Sequence, residues 1–187
     1  MAGIFSAFGL SASAGLNTYM PLLIVAVCAK LGIFTLEEPF DVMTSWWIIG
    51  VLIFLLIVEI VVDKIPAADT VNDIIATVLR PAAGAILFAA SAGVVTDISP
   101  VLSMALGLVV AGSVHGAKML ARPAVTATTA GIGNPVVSTI EDIISAITSL
   151  LSVLLPWLVM LVAVIGIVIF LRWRIRRAER RAARQTP

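Results

Sequence analysis

Between Trp157 and Leu171 the chain reads "WLVMLVAVIGIVIFL", with no charged or amide side chain. A helix needs about 20 mainly apolar residues to cross the hydrocarbon core of a bilayer, and this run with its flanks supplies them. Other stretches of the same kind follow one another at close spacing, so the chain folds within a membrane. Composition agrees. Of 187 residues 60% are hydrophobic and 12% charged, with a mean hydropathy of +1.13, where soluble domains carry about 25% charge. The expectation is an all-α polytopic membrane helix bundle of about six segments, two of them interrupted, either as an internal repeat or as re-entrant helices. Residues 1–173 form the membrane domain and 174–187 a basic tail.

The uninterrupted segments are Trp46–Val62, Pro81–Val95, Val101–Val114 continuing into "HGAKML", and Trp157–Trp173. The interrupted ones are Ile4–Ile33, broken by "SASAGLNTYMP", and Ala124–Leu155, broken by "GIGNP". Formal net charge is only +1, yet seven of the twelve basic residues lie between Arg172 and Arg184. Because cytoplasmic loops are enriched in lysine and arginine, the tail belongs inside. Six crossings then put the N-terminus inside as well, leave Glu37, Glu38 and Asp41 outside, and place Lys64, Arg80, Lys118 and Arg122 at inner ends. A five-span version moves the N-terminus outside. Trp46, Trp47, Trp157 and Trp173 fall near span ends, where amphipathic rings favour the headgroup zone. "MAGIFSAFGL" lacks a basic leader region and reads as retained. Cys28 is the only cysteine, so no intrachain disulfide and no cysteine-based metal site forms.

Ionisable residues inside spans are costly and point to function by default. Glu59 and Asp63, four apart on one helix face, end the Trp46–Val62 span beside Lys64. Asp69, Asp73 and Arg80 follow at helical spacing, with Asn72 alongside. In "HGAKMLARP", His115, Lys118 and Arg122 share a face by the same three-and-four spacing, and the acidic and basic sets are expected to face each other. Interfacial ion pairs that fix helix ends are the plainer reading of these groups. After "GNP", Ser138, Glu141, Asp142, Ser145, Thr148, Ser149 and Ser152 line one side of a helix whose other side is isoleucine, valine and leucine. Such a stripe suits the wall of a hydrated path, and it also suits packing glue between helices.

The two interruptions align on their glycines: Ser13-Ala14-Gly15-Leu16 against Thr129-Ala130-Gly131-Ile132, each followed by an asparagine and a proline. Broken helices free backbone groups that must find partners, and secondary transporters place such breaks at substrate sites. The candidate substrate residues are therefore Asn17, Asn134, Gly15, Gly131, Gly133, Arg80 and Arg122. Candidate ion-binding or ion-pair residues are Glu59, Asp63, Lys64, Asp69, Asp73, His115, Lys118, Glu141 and Asp142. An anion or lipid head group at helix N-termini, and a cation on the carboxylates, are the competing substrates.

"GLNTYMPLL", "DKIPAADTVND", "LRPAAGAILFA", "HGAKMLARPAVTATTAGIGNPVVSTIED" and the short basic tail together resemble the bacterial membrane-protein family catalogued as domain of unknown function 4126, over Leu10 to Leu155. The resemblance implies a multi-span membrane fold and carries no activity. The function expected from the residues is a small transporter or channel-like protein moving an ion, small anion or lipid head group. The alternative is a non-transporting scaffold, assembly or lipid-organising factor. Without HExxH, GxSxG or CxxC, an enzyme is not expected. No cofactor is implied. The expected partners are the lipid bilayer, anionic lipids at the tail and further copies of the chain as a homo-oligomer, with no nucleic acid. The expected location is the bacterial inner membrane.

Overall fold

The computed structural model describes the backbone of residues 2–92 and 99–182, and the side chains within them except at 2, 66–70, 92 and 178–182. Its elements are α1 (Ala2–Ala14), α2 (Tyr19–Lys30), a 3-10 turn (Phe40–Thr44), α3 (Trp46–Val62), α4 (Pro66–Ala92), α5 (Pro100–Thr129), α6 (Asn134–Leu154) and α7 (Pro156–Ala182). The described residues hold no strand, so the chain is an all-α helix bundle. Val71–Ser91, Pro100–Thr129, Asn134–Leu154 and Pro156–Arg177 are long and apolar enough to cross a membrane, and α3 adds a shorter apolar helix. Its 17 residues meet the lower limit for a span.

α1 and α2 depart from the expected interrupted span. Their lengths, 13 and 12 residues, give arms of only about 20 and 18 Å, against a hydrocarbon core of about 30 Å. A continuous pair would hold Gly3 and Ile33 some 45 Å apart, yet Gly3, Ser6, Ile33 and Phe34 line one small cavity with Ala90 and Val153. The chain enters along α1, reverses at Gly15–Thr18 and returns along α2. The pair is a re-entrant hairpin. Besides the pair, four helices have the length and hydropathy of spans and α3 the lower-limit length. α1 and α7 begin at one end, where Phe5 meets Trp157 edge-on at 4.6 Å, and α7 leads toward the opposite one.

The second interrupted span also resolves differently. Residues 124–129 are the last turns of α5, a 30-residue helix, and "AGIGN" is the turn that joins it to α6. Ala130 (φ 51) and Gly131 (φ 84) both adopt the left-handed conformation, which ends α5 and reverses the chain. The acidic and basic stretch before Pro81 is helical too, since α4 starts at Pro66 and carries Pro81 inside it.

α1 forms the axis of the bundle, touched by α4, α5, α6 and α7, with Ala7, Leu10, Ser11, Ser13 and Ala14 buried. Small residues set these approaches. A Cβ on Gly84 would lie 2.7 Å from the Gly107 carbonyl oxygen, and one on Gly107 would lie 2.2 Å from that of Gly84, so α4 and α5 cross backbone to backbone. Gly116 of α5 makes no such approach, having nothing within 4 Å of a Cβ. α6 is polar inward and apolar outward: Ser138, Asp142, Ser145, Ser149 and Ser152 are buried while Ile140, Ile143, Ile144 and Ile147 are exposed. Water would invert that pattern, and hydrocarbon requires it.

The upper half of the α6 stripe is glue. Ser13 Oγ donates to the Ser145 carbonyl (2.8 Å) and meets Ser149 Oγ at 2.5 Å, Ser149 and Ser152 donate to their own helix, and Gly9 packs on Ser152. No hydrated wall runs there. A separate apolar cavity of about 570 Å³ opens between α1, α5, α6 and α7, with Phe8, Val110, Leu151 and Val159 among its walls.

Candidate functional site

Because α1 stops halfway down the bundle axis, the lower half must be filled by side chains from its walls. Those side chains are charged. Glu59 and Asp63 arrive from the end of α3, Asp73 and Arg80 from α4, His115, Lys118 and Arg122 from α5, and Ser138, Glu141 and Asp142 from α6.

The hairpin tip rests on Glu59. Thr18 N donates to both carboxylate oxygens (3.2 and 3.1 Å), Thr18 Oγ1 donates to Oε1 (3.1 Å) and Tyr19 N to Oε2 (3.4 Å). Asn17 completes the cap, its Oδ1 accepting from Tyr19 N (3.1 Å) and Met20 N (2.9 Å) while its Nδ2 donates to Asp142 Oδ1 (3.0 Å). A helix that starts inside a membrane leaves its first amides without partners, and here two side chains from the same protein satisfy them. The anion expected at this N-terminus is already present, and it is Glu59.

Arg80, 0% exposed, is the hub. Its Nη2 lies 3.2 Å from Glu59 and 3.9 Å from Asp63, and its Nη1 lies 3.7 Å from Asp73. The same Nη1 donates to His115 Nδ1 (3.1 Å). A guanidinium only donates, so Nδ1 accepts and the imidazole proton sits on Nε2, which reaches Thr77 Oγ1 at 3.2 Å while that hydroxyl donates to the Asp73 carbonyl (2.9 Å). His115 is thus held in one neutral tautomer. Below it, Arg122 pairs with Asp73 (2.9 Å) and Glu141 (3.5 Å), and Lys118 with Glu141 (2.8 Å). Lys64 joins Asp142 (3.2 Å) and Ser138, whose hydroxyl donates to Asp63 (3.3 Å), and Asn72 donates to the other Asp63 oxygen (2.7 Å).

The cluster balances nearly but not fully. Among the described residues Glu59, Asp63, Asp73, Glu141 and Asp142 face Lys64, Arg80, Lys118 and Arg122, five carboxylates against four cations with His115 neutral, a formal excess of one negative charge. Exposure is graded. The Lys64 side chain is 33% accessible, Glu141 14%, and Glu59 3%, so the cluster opens at the end bearing the α3–α4 and α5–α6 turns and closes at the tip. Arg80 Nε has no hydrogen-bond partner.

The acidic and basic sets do meet as their spacing suggested. Gly15 is also at the tip, where a Cβ would lie 2.6 Å from the Ala111 carbonyl oxygen and from Val114 Cβ. The side chain of Asp69 lies outside the described residues. Asn134, Gly131 and Gly133 do not join the site: Asn134 exchanges bonds with Thr126 (3.2 Å) and Gly133 N donates to Thr129 Oγ1 (3.0 Å), all within the α5–α6 turn. Asp142, which does reach Asn17, is eight residues further along α6, about 12 Å away. A site built from two broken helices is therefore not formed, because only one of the breaks is inside the bundle. The rival cation cage also fails on geometry: each carboxylate turns to a cation, amide or hydroxyl, and among the described residues no three His, Cys, Asp or Glu groups converge as metal ligands. Sequence reasoning missed Thr18 and Ser13. Their signal was position, since each lies where a polar residue interrupts an apolar segment.

The family model described as domain of unknown function, DUF4126, matches residues 4–176. The chain belongs to that family. The match reaches from α1 into α7, so the hairpin and the charge cluster lie inside the family's domain. No curated protein and no solved structure matches the chain.

Proposed function

We propose that this membrane protein carries a small charged or polar-headed substrate, entering the charge cluster beneath the re-entrant hairpin from the end that bears the basic tail. The observation that carries the reading is the hairpin itself: a helix pair that stops mid-bundle above nine charged side chains. Burying so many charges in a bilayer protein is costly, and well-packed apolar residues hold helices together without it. A plug on one side and a graded opening on the other is the shape of a site reached from one face at a time. In this reading the opening faces the cytoplasm across a bacterial inner membrane and α1 starts outside, an orientation that the excess of arginine in the tail supports.

The test is flux through the purified protein in liposomes, offering protons, sodium, chloride and phosphate in turn, and a fluorescent phospholipid for flipping. One of these moves faster than in empty liposomes, and Asp142→Asn or Asp73→Asn abolishes the movement. Wild-type vesicles as tight as empty ones to every probe would sink the reading.

The second reading, a scaffold or lipid-organising factor, draws on α7, where no residue of Pro156–Arg177 is buried. It expects deletion of 174–187 to release co-purifying protein or anionic lipid and to leave vesicle permeability unchanged.

A further inference from the structure

The contacts around Glu59 have the form of a ligand site. Two backbone amides at the start of α2, one hydroxyl and one guanidinium nitrogen converge on a single carboxylate. Amides at a helix start bind carboxylate and phosphate oxygens from any source. Arg80 shows that the resident carboxylate fits imperfectly. Nε and Nη2 form the side-on fork by which arginine grips two oxygens of one oxoanion, but Nη2 alone reaches Glu59 (3.2 Å) and the fully buried Nε has no partner. Half of a buried fork waits for a second oxygen.

We propose that the hairpin tip and Arg80 form an oxoanion site, with Glu59 as its built-in competitor, so that a carboxylate or phosphate ligand enters as Glu59 takes up a proton and withdraws. This rests on the transport reading and names its substrate class. Charge favours the exchange. With Glu59 ionised the cluster carries an excess of one negative charge; a protonated Glu59 with a monoanionic ligand on its donors restores the same total, and no uncompensated charge enters the bilayer. The protonated Glu59 keeps a partner, for Asp63 lies one turn further on the same face of α3. The groups that face Glu59 are Thr18 and Tyr19 from the hairpin, Arg80 from α4 and Asp63 from the end of its own helix, with Asp73 on the far side of Arg80. His115 and Lys118 of α5, and Asn17-bound Asp142 of α6, stand behind them. Glu59 differs from the other carboxylates in holding backbone amides, so its departure alone frees a helix start.

The experiment is the thermal-unfolding midpoint of the full-length protein in nanodiscs, with sodium formate or inorganic phosphate against sodium chloride at equal ionic strength. In Glu59→Ala the donors are vacated, and formate at 100 times its Kd raises the midpoint by about 5 °C, saturably. The wild-type response to formate is larger at pH 5 than at pH 8, because only a protonated Glu59 yields. Glu59→Gln, uncharged at every pH, responds equally at both. Glu59→Ala indifferent to formate overturns the site, and a wild type that treats formate as chloride at both pH values overturns the exchange; the wild-type arm decides alone if the alanine variant does not fold. Nanodiscs of phosphatidic acid against phosphatidylcholine separate the sources: stabilisation by the lipid without soluble phosphate identifies a head group, and the reverse a free anion. A formate response in a protein whose vesicles pass no solute keeps the anion site and removes transport. Flux without a formate response does the opposite.

Discussion

"SASAGLNTYMP" and "TATTAGIGNP" look like two copies of one device, and they fold into two different things. Both follow a helix running away from the end where α1 starts, both reverse the chain, and both launch a helix that runs back. The first does so in the middle of the bundle, where water cannot satisfy the freed amides; Asn17 and Glu59 satisfy them instead. The second does so at the end of a 30-residue helix, where Asn134 bonds Thr126 in its own turn and Ile132 is 81% exposed. The teaching is about depth. A Gly/Asn/Pro break is a site only when the preceding helix is too short to reach the interface, and α1 has 13 residues where α5 has 30.

The largest contrast comes from removing the hub. Arg80→Met leaves Glu59, Asp63 and Asp73 buried without their shared cation, which costs about 3–5 kcal/mol. Denaturant unfolding in mixed micelles measures the loss, and the midpoint falls without a change in slope. The same exchange at Arg177, stacked 4.9 Å over Trp173 on the exposed α7, changes stability by about 0.5 kcal/mol or less. Equal losses at the two arginines would remove the distinction between a charge that organises the axis and one that decorates the surface.

Much of this arrangement was legible before any coordinates. Hydropathy located α3 and α7 and the first half of α5, and three-and-four spacing put Glu59 with Asp63 and His115 with Lys118 and Arg122. The residues of the cluster were thus named in advance. The hairpin stood only as one of two alternatives, an internal repeat or re-entrant helices, because Ile4–Ile33 has the length of one bent span, and apolar arms read alike whether they cross or return. The fate of Asn134 was not legible. Its neighbours in the chain match those of Asn17, and only the 30 residues of α5 decide that one break is deep and the other superficial.

The asparagines supply the next contrast. Asn17→Ala withdraws the cap from the half-buried Tyr19 and Met20 and the amide from the buried Asp142, at about 3 kcal/mol. Asn134→Ala loses only exposed bonding to Thr126, within about 0.5 kcal/mol. Amide hydrogen exchange at Tyr19 and Met20 reads the effect locally: protection collapses in Asn17→Ala and is unchanged in Asn134→Ala. Loss of that protection in both variants would mean that the turn at Asn134 supports the tip after all.

The smallest contrast is in the glycines, where the same substitution fails for opposite reasons. At Gly15 the added methyl meets the Ala111 carbonyl and Val114 at 2.6 Å, an overpacking that costs about 2 kcal/mol. At Gly131 nothing lies within 4 Å, and the obstacle is φ +84, which an L-residue adopts at a cost of about 1 kcal/mol. A second change separates clash from strain. Val114→Gly removes both side-chain atoms that a Cβ at position 15 would strike, Cβ and Cγ1, so Gly15→Ala becomes less costly in that background, whereas Gly131→Ala is unaffected by it. Double-mutant cycles on unfolding midpoints measure this coupling. Coupling at Gly131, or none at Gly15, would show that the tip is not wedged against α5 and that its depth does not come from packing.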